Sequence, residues 1–324
     1  MKGAAPESSN ARAGALTRID RVSAPGVGVP RGRFAPSPTG PLHIGSLLAA
    51  IGSYLAVRRA GGEWLVRIED IDPPREVPGA ADRILRQLEA AALHWDSTPV
   101  FQHERFDVYR EVTTRLLADA AAFECSCTRS EIRAHPQSLE GRRYPGTCRT
   151  GPVHPERALA ARLRVDEHEL RIADRLQGTR VLNPANDGGD FVIRRRDGLP
   201  AYHLAVVVDD AWQGITEVVR GTDLLDSTVA HRILQQRLGL PEPAWLHLPV
   251  IRAPDGQKLS KQTGAAPVAE HEIPAAVQQC LALLGLPPPD ELHGAAPSEL
   301  LAWAVAVPEW RCPRELAPDG RLPG

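Results

Sequence analysis

The spacing of apolar and polar positions begins to define elements near Arg33. Residues 1–30 mix Ala, Gly, Ser, Pro and scattered Arg without a sustained period or a continuous apolar run. That composition predicts a disordered tail and not a targeting peptide. Arg33-Phe34-Ala35-Pro36 reads as the end of a strand, and Ser37-Pro38-Thr39-Gly40-Pro41 as a tight, rigid loop. From Leu42 the period lengthens. Leu47, Leu48, Ile51, Tyr54 and Leu55 fall on one helical face, which Gly61-Gly62 ends. Residues 63–69 alternate as the next strand. Strand, helix and strand within roughly 40 residues form a βαβ unit, which requires a parallel sheet.

Helices are predicted over 79–93 and 105–122. From 123 to 175 the pattern breaks into cysteines, turns and short elements, the mark of an insertion. Strand patterns resume at 189–194 and in the apolar run 202–208, and again at 217–221 and 247–251. An amphipathic helix is expected over 226–238, and the remainder is helical and interrupted by prolines, with no internal repeat.

Composition narrows the class. With 324 residues and 43% hydrophobic content, the chain can bury a sizeable core, so a disulfide-stapled miniprotein is excluded. The 38 basic residues against 40 acidic ones give a net charge of −2, which excludes a polycationic nucleic-acid binder but leaves room for a local basic face. No apolar run reaches the roughly 20 residues of a membrane span. Of five cysteines, three lie within 125–148, a pattern of an intracellular metal site more than of a secreted disulfide framework. Cys280 and Cys312 are expected to pack as small apolar residues. Only Lys2, Lys258 and Lys261 among the basic residues are lysines. Two of them sit three positions apart, where a compact ammonium differs from arginine in what it can do.

Two constellations carry chemistry. Pro38-Thr39-Gly40-Pro41-Leu42-His43-Ile44-Gly45-Ser46 joins the first strand to the first helix, whose N-terminus offers unpaired N–H groups to phosphate. Gly45 would admit a ligand close to the backbone, and His43 could donate to a phosphate oxygen. Lys258-Leu259-Ser260-Lys261 lies in a loop after the last strand, where lysines can neutralise charge growing on a departing pyrophosphate.

Together, in this order, the two strings resemble the HIGH and KMSKS signatures of class I aminoacyl-tRNA synthetases. The stretch from Val66-Arg67-Ile68-Glu69-Asp70-Ile71-Asp72 to Pro73-Pro74-Arg75, and the later Val219-Arg220-Gly221-Thr222-Asp223, are similar to the glutamyl/glutaminyl branch. The resemblance covers most of 31–275. It departs at Ser46, which stands where the signature has its second histidine and cannot become cationic. The cysteines then single out a sub-family. Cys125-Ser126-Cys127 followed by Tyr144 and Cys148 resembles the zinc site of glutamyl-Q tRNA(Asp) synthetases, short paralogues of glutamyl-tRNA synthetase. Three thiolates suit a closed tetrahedral zinc site. On general chemistry His135 or His154 would be the better fourth ligand; only the resemblance selects Tyr144.

The resemblance implies an α/β fold: a class I synthetase Rossmann-type parallel sheet, a zinc-binding insertion and a short helical C-terminal region. The expected divisions are 1–30 tail, 31–118 and 177–257 catalytic halves, 119–176 insertion, and 258–324 lysine loop and helices. It also implies a glutamate pocket. Arg33 would meet the substrate's side-chain carboxylate and Glu69 its ammonium, with Phe34, Ala35, Pro36, Ser37, Tyr202 and Arg220 completing the wall. His43, Gly45, Ser46, Asp223 and Lys261 would meet ATP, with His43, Lys258 and Lys261 as the catalytic groups. The implied reaction is ATP- and Mg²⁺-dependent activation of L-glutamate, then transfer to queuosine at the wobble position of tRNA(Asp). The short stretch after Gln262 fits an enzyme that acts on the anticodon itself and needs no separate reader of it. A cytoplasmic monomer without membrane contact is expected. The rival readings are charging of the tRNA 3′ end, another adenylate-forming nucleotidyltransferase, and a nonenzymatic RNA-binding paralogue.

Overall fold

In the computed structural model, residues 16–18, 28–138, 143–252 and 266–316 are described. In chain order the elements are β1 (Leu16–Arg18), β2 (Arg31–Phe34), α1 (Ile44–Arg58), β3 (Glu63–Ile68), α2 (Ala80–Ala90), β4 (Val100–Phe101) and α3 (Phe106–Ala118). There follow β5 (Ala122–Cys125), α4 (Arg129–Ala134), β6 (Ala160–Leu163), β7 (Leu170–Asp174), β8 (Gly178–Leu182), α5 (Pro184–Asp187) and β9 (Phe191–Arg194). The last are α6 (Tyr202–Trp212), β10 (Glu217–Gly221), α7 (Ser227–Leu238), β11 (Ala244–Leu248), α8 (Ile273–Leu283), α9 (Pro297–Ala306) and β12 (Arg311–Pro313).

Seven strands form the main sheet in the order β4-β3-β2-β10-β11-β7-β8. All neighbours are parallel except β7 and β8. Side chains along each strand alternate between two cores. Trp64, Val66 and Ile68 of β3 join α1, α8 and α9 on one face, while Leu65 joins Tyr109, Leu204 and Ile233 on the other. The parallel sheet is thus covered by helices on both sides, as its crossovers demand. Gly52 lets α1 lie close on the sheet, because a Cβ there would fall 2.2 Å from Leu248 Cδ1.

The sheet divides where β2 and β10 meet. The chain runs outward from β2 through β3 to β4, and in the other direction from β10 to β11. At such a switch point the connections leave in opposite directions and open a crevice at the carboxyl ends of the strands, the usual ligand position in open α/β sheets.

Three expectations change. The run 202–208 is a helix and not a strand. Leu204 to Asp210 are all buried, because α6 packs against both the sheet and α7. An apolar run that is buried all round carries no period, so β-branched Val206–Val208 imitate an interior strand. Second, the insertion is not contiguous over 119–176. β7 leaves it to pair with β11, Trp245 opposite Asp174, and the small antiparallel sheet β5-β6-β9 takes its third strand from Phe191–Arg194. Third, the expected tail 1–30 contains a strand: Leu16–Arg18 pairs antiparallel with Arg311–Pro313, and 1–15 and 19–27 lie outside the described residues. Cys280 and Cys312 are buried among apolar neighbours, as expected.

Candidate active site

A cavity of about 360 Å³ fills the crevice at the switch point. The end of β2 and the turn after it bring Arg33, Phe34, Ala35, Pro36 and Ser37 to its wall. The start of α1 brings Gly45 and Ser46, with His43 as its N-cap. Glu69 follows β3, Tyr202 opens α6, Arg220 lies in β10 and Asp223 lies just beyond it. Twelve residues separated by up to 190 positions in sequence therefore meet in one cavity. Lys258 and Lys261 lie outside the described residues. The chain next described pairs at once with the turn before α1: Pro267 bridges His43, and Val268 N donates to Leu42 O at 3.0 Å.

His43 has a local duty that the sequence did not suggest. Its Nδ1 accepts from Gly45 N at 3.1 Å, so the ring proton sits on Nε2. The imidazole thereby caps α1 with one nitrogen and keeps a donor on the other.

Charge in the cavity is arranged around Asp210, which the sequence reading overlooked. Arg33 donates to it through Nε at 2.9 Å and Nη2 at 3.3 Å, and Arg67 Nη1 lies 2.8 Å from it. Arg67 also reaches Glu69 at 3.5 Å and donates to Gln213 Oε1 at 2.6 Å. Burial works to raise the Asp210 carboxyl, but the Arg33 and Arg67 guanidiniums outweigh it and hold it below its ordinary value. Burial dominates at Glu69 and pushes it up to about 7 against the pull of Arg67 and Arg33. Burial also pushes the Tyr202 phenol up to about 12, so it stays a protonated donor. The expected free fork of Arg33 is thus half engaged within the protein, and Nη1 is what remains to meet a ligand.

Arg220 differs. It is 5% exposed, and among the described residues no carboxylate makes an ion pair with it. Its partners are His247 Nε2 at 3.0 Å, His231 Nδ1 at 3.2 Å, Thr228 Oγ1 at 2.8 Å and the Leu224 carbonyl at 3.2 Å. Burial, and then Arg220 itself, push the His231 imidazole well below its usual range and His247 also down, so both rings are neutral. A buried guanidinium surrounded by neutral acceptors at a cavity wall has the charge and the donors to receive an anion.

The candidate metal ligands come together in the small sheet's region. The sulfurs of Cys125, Cys127 and Cys148 lie within 4.8 Å of one another, close enough to hold a metal ion. The Tyr144 hydroxyl is 3.4 Å from Cys125 Sγ and 3.6 Å from Cys127 Sγ, so this side chain adjoins the cysteine group, to which neither His135 nor His154 belongs. Arg162 Nε donates to Cys125 Sγ at 3.3 Å and its guanidinium stacks 4.1 Å from the Tyr144 ring centroid. A cation beside three thiols and a phenol suits a set of anionic ligands. Arg67, Asp174, Asp210, His231 and His247 are the site-forming residues that sequence reading missed. One signal was available for the carboxylates: Asp209-Asp210 end an apolar run, where a charge needs a partner.

The family model for the catalytic domain of class I tRNA synthetases (E and Q) matches residues 30–293, and the chain is a ligase of the aminoacyl-tRNA synthetase type. A glutamyl-Q tRNA(Asp) synthetase of Thiobacillus denitrificans is 53% identical over 84% of this chain and 91% of its own length. The protein of that name from Ectopseudomonas mendocina is 50% identical over 85% and 92%. The chain belongs to this glutamyl-Q tRNA(Asp) synthetase branch of the class I family. Among solved structures it is similar to a glutamate tRNA ligase from Elizabethkingia meningosepticum in complex with its amino acid, with a TM-score of 0.71 and 27% identity. That match covers 92% of this chain and 66% of the other. Among the described residues no helix is long and apolar enough to cross a membrane.

Proposed function

We propose that this chain activates L-glutamate with ATP and transfers the glutamyl group to queuosine at the wobble position of tRNA(Asp). The observation that carries the reading is Arg220, a buried guanidinium that has no ion-paired carboxylate among the described residues, facing a cavity that also holds Arg33 and Glu69. The relatives' names supply the acceptor.

In this reading the glutamate side-chain carboxylate lies between Arg220 and the remaining Nη1 of Arg33. Neutral glutamine loses both charge-assisted bonds there. Glu69 receives the ammonium, and Tyr202 and Ser37 close the pocket, with the 34–36 backbone as its floor. The α-carboxylate oxygen attacks the α-phosphorus of ATP; the bond to pyrophosphate breaks and glutamyl-adenylate forms. Gly45, Ser46 and the N-terminus of α1 meet the nucleotide, His43 donates from Nε2 to a phosphate, and Asp223 lies on the ribose side. Lys258 and Lys261 offset the charge on the leaving pyrophosphate, Mg²⁺ accompanies the ATP, and no protein nucleophile is used. A hydroxyl of the acceptor then attacks the adenylate carbonyl and AMP leaves. Cys125, Cys127, Tyr144 and Cys148 would hold one Zn²⁺, whose contribution is structural: it ties 125–127 to 144–148.

Two measurements test the reading. Acid-gel detection of labelled glutamate should find it on queuosine-containing tRNA(Asp) and not on the unmodified tRNA; glutamate on unmodified tRNA(Glu) sinks the proposal. Arg220→Gln should raise the glutamate KM in ATP–pyrophosphate exchange by about a hundredfold, the loss of one buried charge-assisted contact of ~3 kcal/mol.

A further inference from the structure

Three strands carry a buried polar chain toward the cavity wall. Arg220 of β10 lies opposite His247 of β11 in the parallel register, and β7 ends beside them at Asp174. Asp174 Oδ2 accepts from His247 N at 3.0 Å and stands 2.6 Å from His247 Nδ1. Its other oxygen accepts from Leu176 N at 2.9 Å and Gln177 N at 2.7 Å. Asp174, His247 and Thr228 are 6%, 0% and 0% exposed, so water does not substitute for any of these bonds.

The tautomer of His247 follows from its partners. Arg220 Nε can only donate, and it points at His247 Nε2, which must therefore be an acceptor. The ring proton is then on Nδ1, donated to Asp174. Thr228 Oγ1, 3.1 Å from the same Nε2, accepts from Arg220 Nη2. Of the five guanidinium N–H bonds, His247, His231, Thr228 and the Leu224 carbonyl take four. One Nη1–H remains for the cavity.

We propose that Asp174 and His247 are positioning residues for carboxylate recognition: Asp174 fixes the tautomer of His247, and His247 fixes the plane in which Arg220 offers its last N–H. The inference rests on the reading of Arg220 as the group that meets the glutamate carboxylate. It also gives β7 a role, since the strand that leaves the insertion for the main sheet delivers a carboxylate that acts through two residues, His247 and Arg220, on the substrate.

Asparagine at 174 must keep its oxygen on the two loop N–H groups, which turns its NH₂ toward His247. The ring then accepts at Nδ1, carries its proton on Nε2, and opposes the Arg220 Nε–H donor to donor. Glutamine at 247 can place a carbonyl oxygen at the position of Nε2 with no side-chain partner at 174, while its backbone N–H still uses Asp174 Oδ2. Four proteins decide the matter: wild type, Asp174→Asn, His247→Gln and the double variant. In ATP–pyrophosphate exchange, Asp174→Asn should raise the glutamate KM at least about tenfold, with the ATP KM within about twofold. His247→Gln should raise the glutamate KM less than Asp174→Asn does, and in that background Asp174→Asn should add clearly less than its effect alone, because only the bond from the backbone N–H of residue 247 is then lost. Nitrogen NMR of labelled histidine should show His247 protonated on Nδ1 in the wild type and on Nε2 in Asp174→Asn. Equal rises in both KM values, a full Asp174→Asn effect in the His247→Gln background, or an Nε2 proton in the wild type overturns the proposal. If the wild type exchanges pyrophosphate with no amino acid, the functional reading fails, and the NMR comparison still decides the relay.

Discussion

Replacing Asp210 by Asn probes the centre of the site. Asp210 lies in α6, 4% exposed, and serves two guanidiniums at once: Arg33 at 2.9 and 3.3 Å and Arg67 at 2.8 Å. The arginines Arg33, Arg67 and Arg220 line or flank a region where Asp210 and Glu69 supply opposing charge. Asparagine keeps the shape and one acceptor oxygen but removes the charge and turns an NH₂ toward a donor. Removing one partner of a buried ion pair costs about 3–5 kcal/mol, because the remaining charge stays desolvated. The retained oxygen places the expectation at the lower end, about 3 kcal/mol of unfolding free energy by urea titration. A second readout is electrostatic. Burial, chiefly, raises Glu69 to about 7, and the Asp210 charge adds to that rise. Asp210→Asn should therefore move the pH midpoint of glutamate binding downward. A stability loss under about 1 kcal/mol together with an unmoved midpoint would refute the assignment of Asp210 as the shared counter-ion.

Glu69 and the metal cluster give two further expectations. With its carboxyl near 7, Glu69 is mostly protonated in the empty site at pH 6.5, and an arriving ammonium favours the carboxylate. Binding should release about three-quarters of a proton at that pH, and affinity should rise from pH 6 to 8 and then level off. Calorimetry in two buffers of different ionisation enthalpy reads this, and heats independent of buffer would contradict it. Cys148→Ser should lower the zinc content of purified protein from one per chain to a small fraction and destabilise the small sheet's region by several kcal/mol. Metal analysis and chelator titration check it; full zinc retention would remove Cys148 from the ligand set.

Much of the site was legible in the sequence because its parts are local strings. Residues 33–46 form one strand, turn and helix start, so their order in sequence is their order around the cavity. The cysteines of 125–148 announce metal chemistry by residue type alone. The period of 3.6 placed α1 and α7, and the position of β3 followed from the βαβ order, since its side chains face two cores and not solvent.

The tertiary structure decided what depends on distant partners. The bond from Arg33 to Asp210 spans 177 positions, and no local pattern selects one buried carboxylate for one buried guanidinium. The run 202–208 has no polar face, so its helix follows only from the space between the sheet and α7. The strand at 170–174 could extend either sheet by its own pattern. Its place beside β11, which sets Asp174 against His247 and so against Arg220, comes from packing and hydrogen bonding between segments some seventy residues apart. The sequence by itself determined which chemical groups the protein carries and the elements that hold most of them. Long-range burial decided which of those groups form ion pairs within the protein, and which, like Arg220, are held by neutral acceptors.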